Sequence, residues 1–149
     1  MVQRYAFVMM TKEKWWNRFL SDHHEGKQTQ SYVQKGSAPP KNACVIFFYV
    51  TKPIAEIAGY AEFVQRTVGD SMEVWEKHGN ESVLKSKGEY REFIGDQPQV
   101  SFIRFQNLRE APHAMPLADV LRLLGARRLS RKGFYVNKET TEKIVALMD

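Results

Sequence analysis

The feature that most constrains the fold is an unbroken apolar and aromatic run at residues 44–49, CVIFFY. A run of this length is too short for a useful helix, and it suits a strand buried on both faces. Pro53, which has no N–H to donate, ends the run, and a second apolar stretch continues to Phe63. Gly59 inside that stretch predicts a bulge or a close backbone approach. The sequence therefore predicts two strands at the centre of a small barrel.

The first third of the chain predicts a strand, a helix and a long polar connection. Residues 4–10 are apolar enough for a first strand, and Thr11 is the expected N-cap of the helix that follows. Trp15 and Trp16 lie in the apolar stripe of that helix. They either pack in the core, or one of them edges a base-stacking pocket. Residues 21–41 are expected to form a functional or a disordered loop.

Capping signals place the later helices. Asp70 and Ser86 each precede a Glu by three residues, the spacing of a capping box. Residues 100–105 predict a strand, residues 117–124 predict a helix with apolar side chains at helical spacing, and Gly125 is its expected stop. The chain then passes through a basic turn and a short apolar stretch, and its last helix begins at a capping Asn.

Composition indicates an ordinary globular protein with one domain spanning residues 1–149. The only cysteine, Cys44, excludes an internal disulfide and fits a reducing compartment, with the residue expected in a core strand. No apolar run approaches a membrane span, and no signal peptide is predicted. The expected location is the cytoplasm, and the sequence does not fix the oligomeric state.

The net charge of +5 is unevenly distributed. Residues 1–41 carry seven Lys/Arg against three acids, residues 42–100 six against nine, and residues 101–149 nine against five. If the two ends meet in space, they form a basic face that would attract phosphates. Ordinary solvated charge is the alternative interpretation.

Several stretches resemble the PUA-like superfamily, specifically its ASCH and EVE branches. Gly26-Lys27 and the residues to Tyr32 stand where ASCH domains carry a Gly-x-Lys-x-x-Glu-x-Arg motif, although Gln30 replaces the Glu and Tyr32 replaces the Arg. Residues 57–62 resemble the later Gly-containing strand of that family, and residues 127–147 resemble the end of EVE-type proteins.

The whole chain is most similar to an uncharacterised archaeal PUA-like family, through its Trp-Glu-Lys-His-Gly stretch at residues 75–79 and its Glu89-Tyr90 pair. The resemblance implies an α+β fold, a PUA-like mixed β-barrel of about five or six strands flanked by helices. It also implies a basic cleft beside the first helix that binds RNA or a modified nucleotide. The ligand-binding candidates are Lys27, Thr29, Gln30, Tyr32 and Trp16. The nucleic-acid-binding candidates are Arg127, Arg128, Arg131, Lys132 and Tyr135.

Two other functions remain open. Some ASCH proteins are amidohydrolases that act on acylated cytidine with Lys, Thr and Glu. The resemblance implies Lys27, Thr29 and Glu89 for those roles, although strict spacing places the threonine of the family on Gln30, one position after Thr29. The alternative role of Glu89 is the last residue of its capping box. A non-catalytic scaffold that binds a partner is the other possibility. No cofactor and no metal site is predicted, because the adjacent His23 and His24 do not converge on one ion.

Overall fold

The computed structural model describes residues 4–149, and its centre is the strand formed by the apolar run. The strands are β1, Ala6–Thr11; β2, Thr29–Lys35; β3, Val45–Val50; β4, Glu56–Asp70; β5, Gln99–Pro116; and β6, Phe134–Val136. The helices are α1, Glu13–His24; α2, Ser71–His78; α3, Lys87–Ile94; α4, Leu117–Leu124; and α5, Lys138–Met148, with a 3₁₀ turn at Gly79–Glu81.

The strands form one mixed sheet in the order β2-β5-β4-β3-β1-β6. The β1–β3 pair is parallel and the other pairs are antiparallel. Ala6 on β1 pairs with Val136 on β6, so the two basic ends of the chain meet. The predicted α+β class with about six strands and flanking helices is confirmed, although the sheet is open at β2 and β6 rather than a closed barrel.

The opening in the sheet lies where β1 and β2 face each other, and we call it the seam. The β6 strand pairs only with the Ala6–Val8 part of β1, so the rest of β1 has no strand neighbour on that edge within the described residues. The hydroxyl of Tyr32 on β2 crosses the gap and donates to the carbonyl oxygen of Met10 at 3.1 Å. The Tyr32 side chain therefore links β2 to β1 across the seam, where no backbone pairing joins the two strands within the described residues.

Helices cover both faces of the sheet. The α1 helix packs Trp16 and Phe19 against Phe48 and Phe105 on one face. The α4 and α5 helices cover the other face, and α2 and α3 cover the β2–β5 end. Burial of this much aromatic and branched aliphatic surface is the main source of stability for such a fold.

Several sequence expectations about the first half of the chain are wrong. The supposed loop at residues 21–41 contains β2, which pairs with β5 over its whole length. Thr11 is buried in β1, and Lys12 occupies the N-cap of α1 without a side-chain capping bond. Cys44 is exposed just before β3 rather than buried in it. The polar residues of β2 concealed the strand, and two of them, Gln30 and Ser31, are buried with their side chains hydrogen-bonded to Phe19 and Glu81.

The capping signals of the later helices and the glycine signals at Gly59 and Gly125 are confirmed. The side chains of Asp70, Ser86 and Asn137 each accept a backbone N–H in the first turn of the following helix. Gly125 ends α4 with φ of 64°, in the left-handed region. At Gly59 the pairing register shifts, and a Cβ there would lie 2.7 Å from the Trp16 ring and even closer to a backbone carbonyl.

The sequence predicts that Val45, Phe47, Tyr49, Ile57, Phe102 and Leu121 are largely buried, and this is confirmed for Phe47, Tyr49, Ile57 and Phe102. Val45, at the first position of β3, and Leu121, in the middle of α4, are only partly buried. The structure also extends the central strands, giving 15 residues to β4 and 18 to β5.

Candidate functional site

A cleft of about 630 Å³ opens at the seam, and we call it the seam cleft. The end of β1, the start of α1, the strand β2 with its following loop, α3 and the loop before β6 all contribute to it. Its lining residues are Phe7, Met9, Met10, Lys12, Trp15, Tyr32, Gln34, Lys35, Ser37, Ala38, Pro39, Thr51, Phe93, Arg131 and Lys132. The cleft exists because β6 pairs with only half of β1.

The charge of the seam cleft is entirely positive. Lys12, Lys35, Arg131 and Lys132 are exposed around it, and none of its described lining residues is acidic. They come from three separate segments, which only the fold brings together. Four cations around one concave surface produce a field that attracts anions more strongly than the same charges scattered over a convex surface.

Aromatic side chains form one wall of the seam cleft. Trp15 and Phe93 are half-buried and meet edge to face, with ring centroids 5.7 Å apart. The Lys35 ammonium lies 5.8 Å from the centre of the Phe93 ring, and the Arg18 guanidinium lies 5.2 Å from the centre of a Trp15 ring. Cations and π-faces are thus interleaved, which is an arrangement suited to stacking planar groups that carry negative charge.

Tyr32 lies on the floor of the cleft and is 8% exposed. Burial raises the pKa of the Tyr32 hydroxyl to about 12, an increase only partly offset by hydrogen bonds with Thr11 and Gln34. The phenol therefore keeps its proton at neutral pH and continues to donate to Met10. Its ring faces are occupied by core packing, with Phe19 at 5.6 Å, so Tyr32 offers an edge rather than a stacking face.

Lys27 lies in a different cavity of about 650 Å³ at the C-terminal end of α1, which we call the α1-end pocket. Its ammonium contacts the buried Asp22 carboxylate at 3.4 Å and donates to the Ser82 carbonyl at 3.1 Å. Lys85 reaches the other oxygen of Asp22 at 3.3 Å. Asp22 and Glu25 both line this pocket, so its charge is balanced rather than positive.

A half-buried ion pair fixes one wall of the α1-end pocket. Arg104 on β5 makes two hydrogen bonds to Glu81, at 2.9 and 3.1 Å, and Ser31 donates to the same carboxylate at 2.8 Å. Burial opposes ionisation of Glu81, but the hydrogen bonds from Arg104 and Ser31 outweigh it and hold the pKa below its usual value. The network holds the 3₁₀ turn against β2 and β5.

The other predicted ligand-binding residues do not surround the seam cleft. Gln30 is 1% exposed, and its amide nitrogen donates to the Phe19 carbonyl at 3.1 Å. Trp16 is buried against Phe48, with ring centroids 5.3 Å apart. Thr29 is half-buried at the first position of β2 and lines neither cavity. Of that set, Tyr32 lines the seam cleft and Lys27 lines the α1-end pocket.

The predicted nucleic-acid-binding residues lie closer to one another than the predicted ligand-binding residues do. Arg131 and Lys132 line the seam cleft, and Arg127 and Arg128 are exposed earlier in the same loop without lining it. Tyr135 follows on β6, where its hydroxyl accepts the Lys41 backbone N–H at 3.1 Å.

The residues expected for amidohydrolase chemistry are not gathered around either of the two large cavities. Glu89 accepts from Arg18 at 2.9 Å and from the Lys85 backbone N–H at 2.6 Å, while its own N–H donates to Ser86. These hydrogen bonds lower the Glu89 pKa, with that from Arg18 as the largest cause. Glu89 thus bonds through its N–H to the capping Ser86, while its carboxylate accepts from Lys85 rather than from the Ser86 N–H that would complete the predicted capping box.

The chemistry of metal binding has little basis in the arrangement of donors. Within residues 4–149, no group of three or more His, Cys, Asp or Glu side chains is placed to hold an ion. His23 and His24 are adjacent, with ring centroids 6.0 Å apart.

No helix in this part of the chain is long and apolar enough to cross a membrane.

Sequence reasoning missed the cleft residues Lys12, Trp15, Gln34, Lys35 and Phe93 as a group. The sequence predicts a base-stacking role for one of Trp15 and Trp16 without choosing between them, and it places Gln34 and Lys35 in a loop. The signal in TQSYVQK at residues 29–35 is weak, because its two apolar residues, Tyr32 and Val33, are adjacent and do not alternate with the polar ones.

The fold is that of the ASCH/PUA-like class, in which an open or barrel-like mixed sheet is flanked by helices. A crystal structure of the ASCH protein from Zymomonas mobilis superposes with a TM-score of 0.78 at 19% identity, covering 98% of this chain and 97% of that one. A serine-to-alanine variant of the same protein gives 0.79 at 19% identity, with full coverage of both chains.

A relative in sequence is the ASCH domain-containing ribonuclease of Zymomonas mobilis subsp. mobilis. It is 27% identical over 135 residues, which cover 89% of this chain and 87% of the relative. No family model matches the chain. The likeness in sequence and in fold supports a place in the ASCH/PUA-like superfamily.

Proposed function

We propose that this protein binds single-stranded RNA in the seam cleft. The observation that carries the proposal is the convergence of four cations and a half-buried aromatic wall on one cleft that has no acidic lining residue among those described. The sequence relative from Zymomonas mobilis, named as a ribonuclease, supports RNA as the class of polymer. The superfamily resemblance alone would not distinguish RNA from other ligands.

The two kinds of side chain have separate tasks. Lys12, Arg131 and Lys132 stand where phosphates can approach, and such contacts supply affinity regardless of sequence. Trp15 and Phe93 form a wall on which an unpaired base can stack, at about 1–3 kcal/mol per base. A duplex keeps its base faces covered, so this wall favours a single strand, a loop or a free end.

The test is fluorescence anisotropy with a short labelled single-stranded RNA across a salt series. Binding at low salt that weakens as salt rises is the expected result, with the same sequence in a duplex binding more weakly. A free nucleotide as competitor separates a preference for RNA from a preference for a modified or unmodified mononucleotide. No RNA binding at low salt would reject the proposal.

RNA cleavage is the second candidate, and the relative named as a ribonuclease is the observation that favours it. The cleft cations are suited to stabilise the negative charge that develops on the oxygens around the phosphorus during cleavage. Tyr32 is not suited as a general base at neutral pH, because its pKa is about 12. The test is incubation with end-labelled RNA, with and without a chelator. Discrete shorter products that disappear in Arg131→Ala/Lys132→Ala would support catalysis in the cleft.

A further inference from the structure

We propose that Gln34 reads the edge of one base in the seam cleft and gives the protein a preference for adenine. The inference rests on RNA binding in the seam cleft and adds its specificity. It follows from the position of Gln34 and from the amide donor and acceptor that Gln34 still has free. It also follows from the other neutral polar side chains of the cleft, which are already hydrogen-bonded or cannot present a donor and an acceptor side by side.

The position of Gln34 follows from strand geometry. Side chains two residues apart on a strand share a face, so Gln34 lies on the same face of β2 as Tyr32. Both line the seam cleft, and Gln34 is half-buried where Tyr32 is almost fully buried. Gln34 therefore lies one step outward from the cleft floor, at a depth that an unpaired base can reach.

The neutral polar side chains of the cleft differ in what they can still bind. The Tyr32 hydroxyl donates to Met10, and the Ser37 hydroxyl accepts from Arg66 at 3.4 Å. The Thr51 hydroxyl has only one oxygen, so it cannot present a separate donor and acceptor side by side. Gln34 lies beside the Tyr32 oxygen and can give it one N–H. Its second N–H and its carbonyl remain uncommitted within the described residues, and they form an adjacent donor and acceptor.

An adjacent donor and acceptor on a planar amide match the exocyclic amine and the adjacent ring nitrogen that adenine and cytosine each present in an unpaired strand. The four cations of the cleft rim have donors only and suit phosphates rather than the adenine edge. A purine also offers the larger face to the wall formed by Trp15 and Phe93. Gln34 is thus the cleft side chain best suited to distinguish one base from another.

The experiment uses four short labelled single-stranded RNAs that differ in one central base, with binding measured by anisotropy at a fixed low salt. The wild-type protein is expected to prefer adenine by roughly tenfold, within the range of one bidentate contact. Gln34→Ala is expected to reduce the spread among the four RNAs to about twofold, with modest loss of overall affinity.

Gln34→Glu gives a directional result. A carboxylate only accepts hydrogen bonds, so it loses the match to adenine and gains one to the N1–H and amino group of guanine. The order of the two purines is expected to reverse, while all four RNAs bind less tightly because the new charge opposes the phosphates. Gln28→Ala is the matched control, because Gln28 is an exposed glutamine just before β2 that does not line the cleft.

The outcomes separate the two proposals. If none of the four RNAs binds wild-type protein at low salt, RNA binding itself fails. If all four bind equally, or if Gln34→Ala keeps the full adenine preference, RNA binding stands and the role of Gln34 is overturned. Thermal unfolding of each variant shows whether a loss of RNA binding comes from misfolding. If Gln34→Ala is misfolded, the purine order of Gln34→Glu, measured beside Gln28→Ala, decides whether Gln34 sets the preference.

Discussion

The Tyr32 hydroxyl donates to the Met10 carbonyl at 3.1 Å, and this bond spans the seam between β2 and β1. The two strands are at opposite sides of the opening in the sheet, because β6 stops pairing with β1 at Val8. The same tyrosine forms the floor of the seam cleft. Tyr32 therefore both links β2 to β1 and forms the floor of the cleft between them.

The first prediction concerns alkaline pH. The Tyr32 pKa is about 12 in the folded protein and about 10 in an unfolded chain, so the folded state holds the proton more tightly. This contribution to stability is complete below about pH 10 and is lost as the pH rises towards 12. Tyr32→Phe has no proton to lose, so its free energy of unfolding should fall less than that of wild type, by about 1.4 kcal/mol at about pH 11 and by up to about 3 kcal/mol above about pH 12.

Urea unfolding of wild type and Tyr32→Phe at about pH 8 and about pH 11 measures this difference. Tyr49→Phe is the control, because Tyr49 is also buried but does not line the seam cleft. Burial raises the pKa of Tyr49 too. An equal alkaline loss in wild type and Tyr32→Phe would contradict the prediction.

The second prediction compares two charge-matched pairs in one loop. Arg131→Ala/Lys132→Ala and Arg127→Ala/Arg128→Ala each remove two cations, but only the first pair lines the seam cleft. Each cation that contacts single-stranded RNA contributes about 0.7 to the magnitude of the log–log salt slope. The first double variant should lower that magnitude by about 1.4, and the second by clearly less.

The measurement is RNA affinity by anisotropy at several salt concentrations. Because net charge changes equally in the two variants, a purely long-range attraction would affect both slopes alike. Equal slopes in the two variants would therefore place the RNA over the whole loop rather than in the cleft.

The third prediction concerns the close approach at Gly59. A Cβ there would lie 2.7 Å from the Trp16 ring and closer still to the Arg109 carbonyl, so Gly59→Ala must displace α1 or the β4–β5 ladder. We expect a loss of about 1–3 kcal/mol in unfolding free energy. Gly88→Ala is the matched control, since a Cβ at this position on α3 meets only the Ser86 hydroxyl at 3.7 Å.

Gly88→Ala should be neutral or stabilising by up to about 1 kcal/mol, because alanine is the better helix former. Urea unfolding of both variants decides the matter. A Gly59→Ala protein as stable as wild type would show that the backbone around Trp16 yields without cost.

The fourth prediction concerns acylated cytidine. Lys27, Thr29 and Glu89 line no common cavity among the two large ones, and the Lys27 ammonium is engaged by Asp22 and Ser82. We therefore expect no release of free acid when the protein is incubated with acylated cytidine. Rapid release that Lys27→Ala abolishes, while the exposed-lysine control Lys143→Ala leaves it intact, would establish the amidohydrolase function instead.

The sequence by itself determined the local structure wherever short-range chemistry decides it. Asp70, Ser86 and Asn137 cap helices because their oxygens reach backbone N–H groups in the next turn. The apolar run at residues 44–49 predicts the central strand, because a run so apolar favours burial. The chain's resemblance to the PUA-like superfamily indicated the fold class in advance.

Only the tertiary structure decided which residues meet at the cleft. Lys12, Lys35 and Arg131 come from distant parts of the chain, and they converge because the sheet leaves a seam between β1 and β2. The same folding places Lys27 against a buried carboxylate and turns Gln30 into the core. Sequence spacing could not predict these outcomes, because they depend on long-range strand pairing and on how far β6 extends along β1.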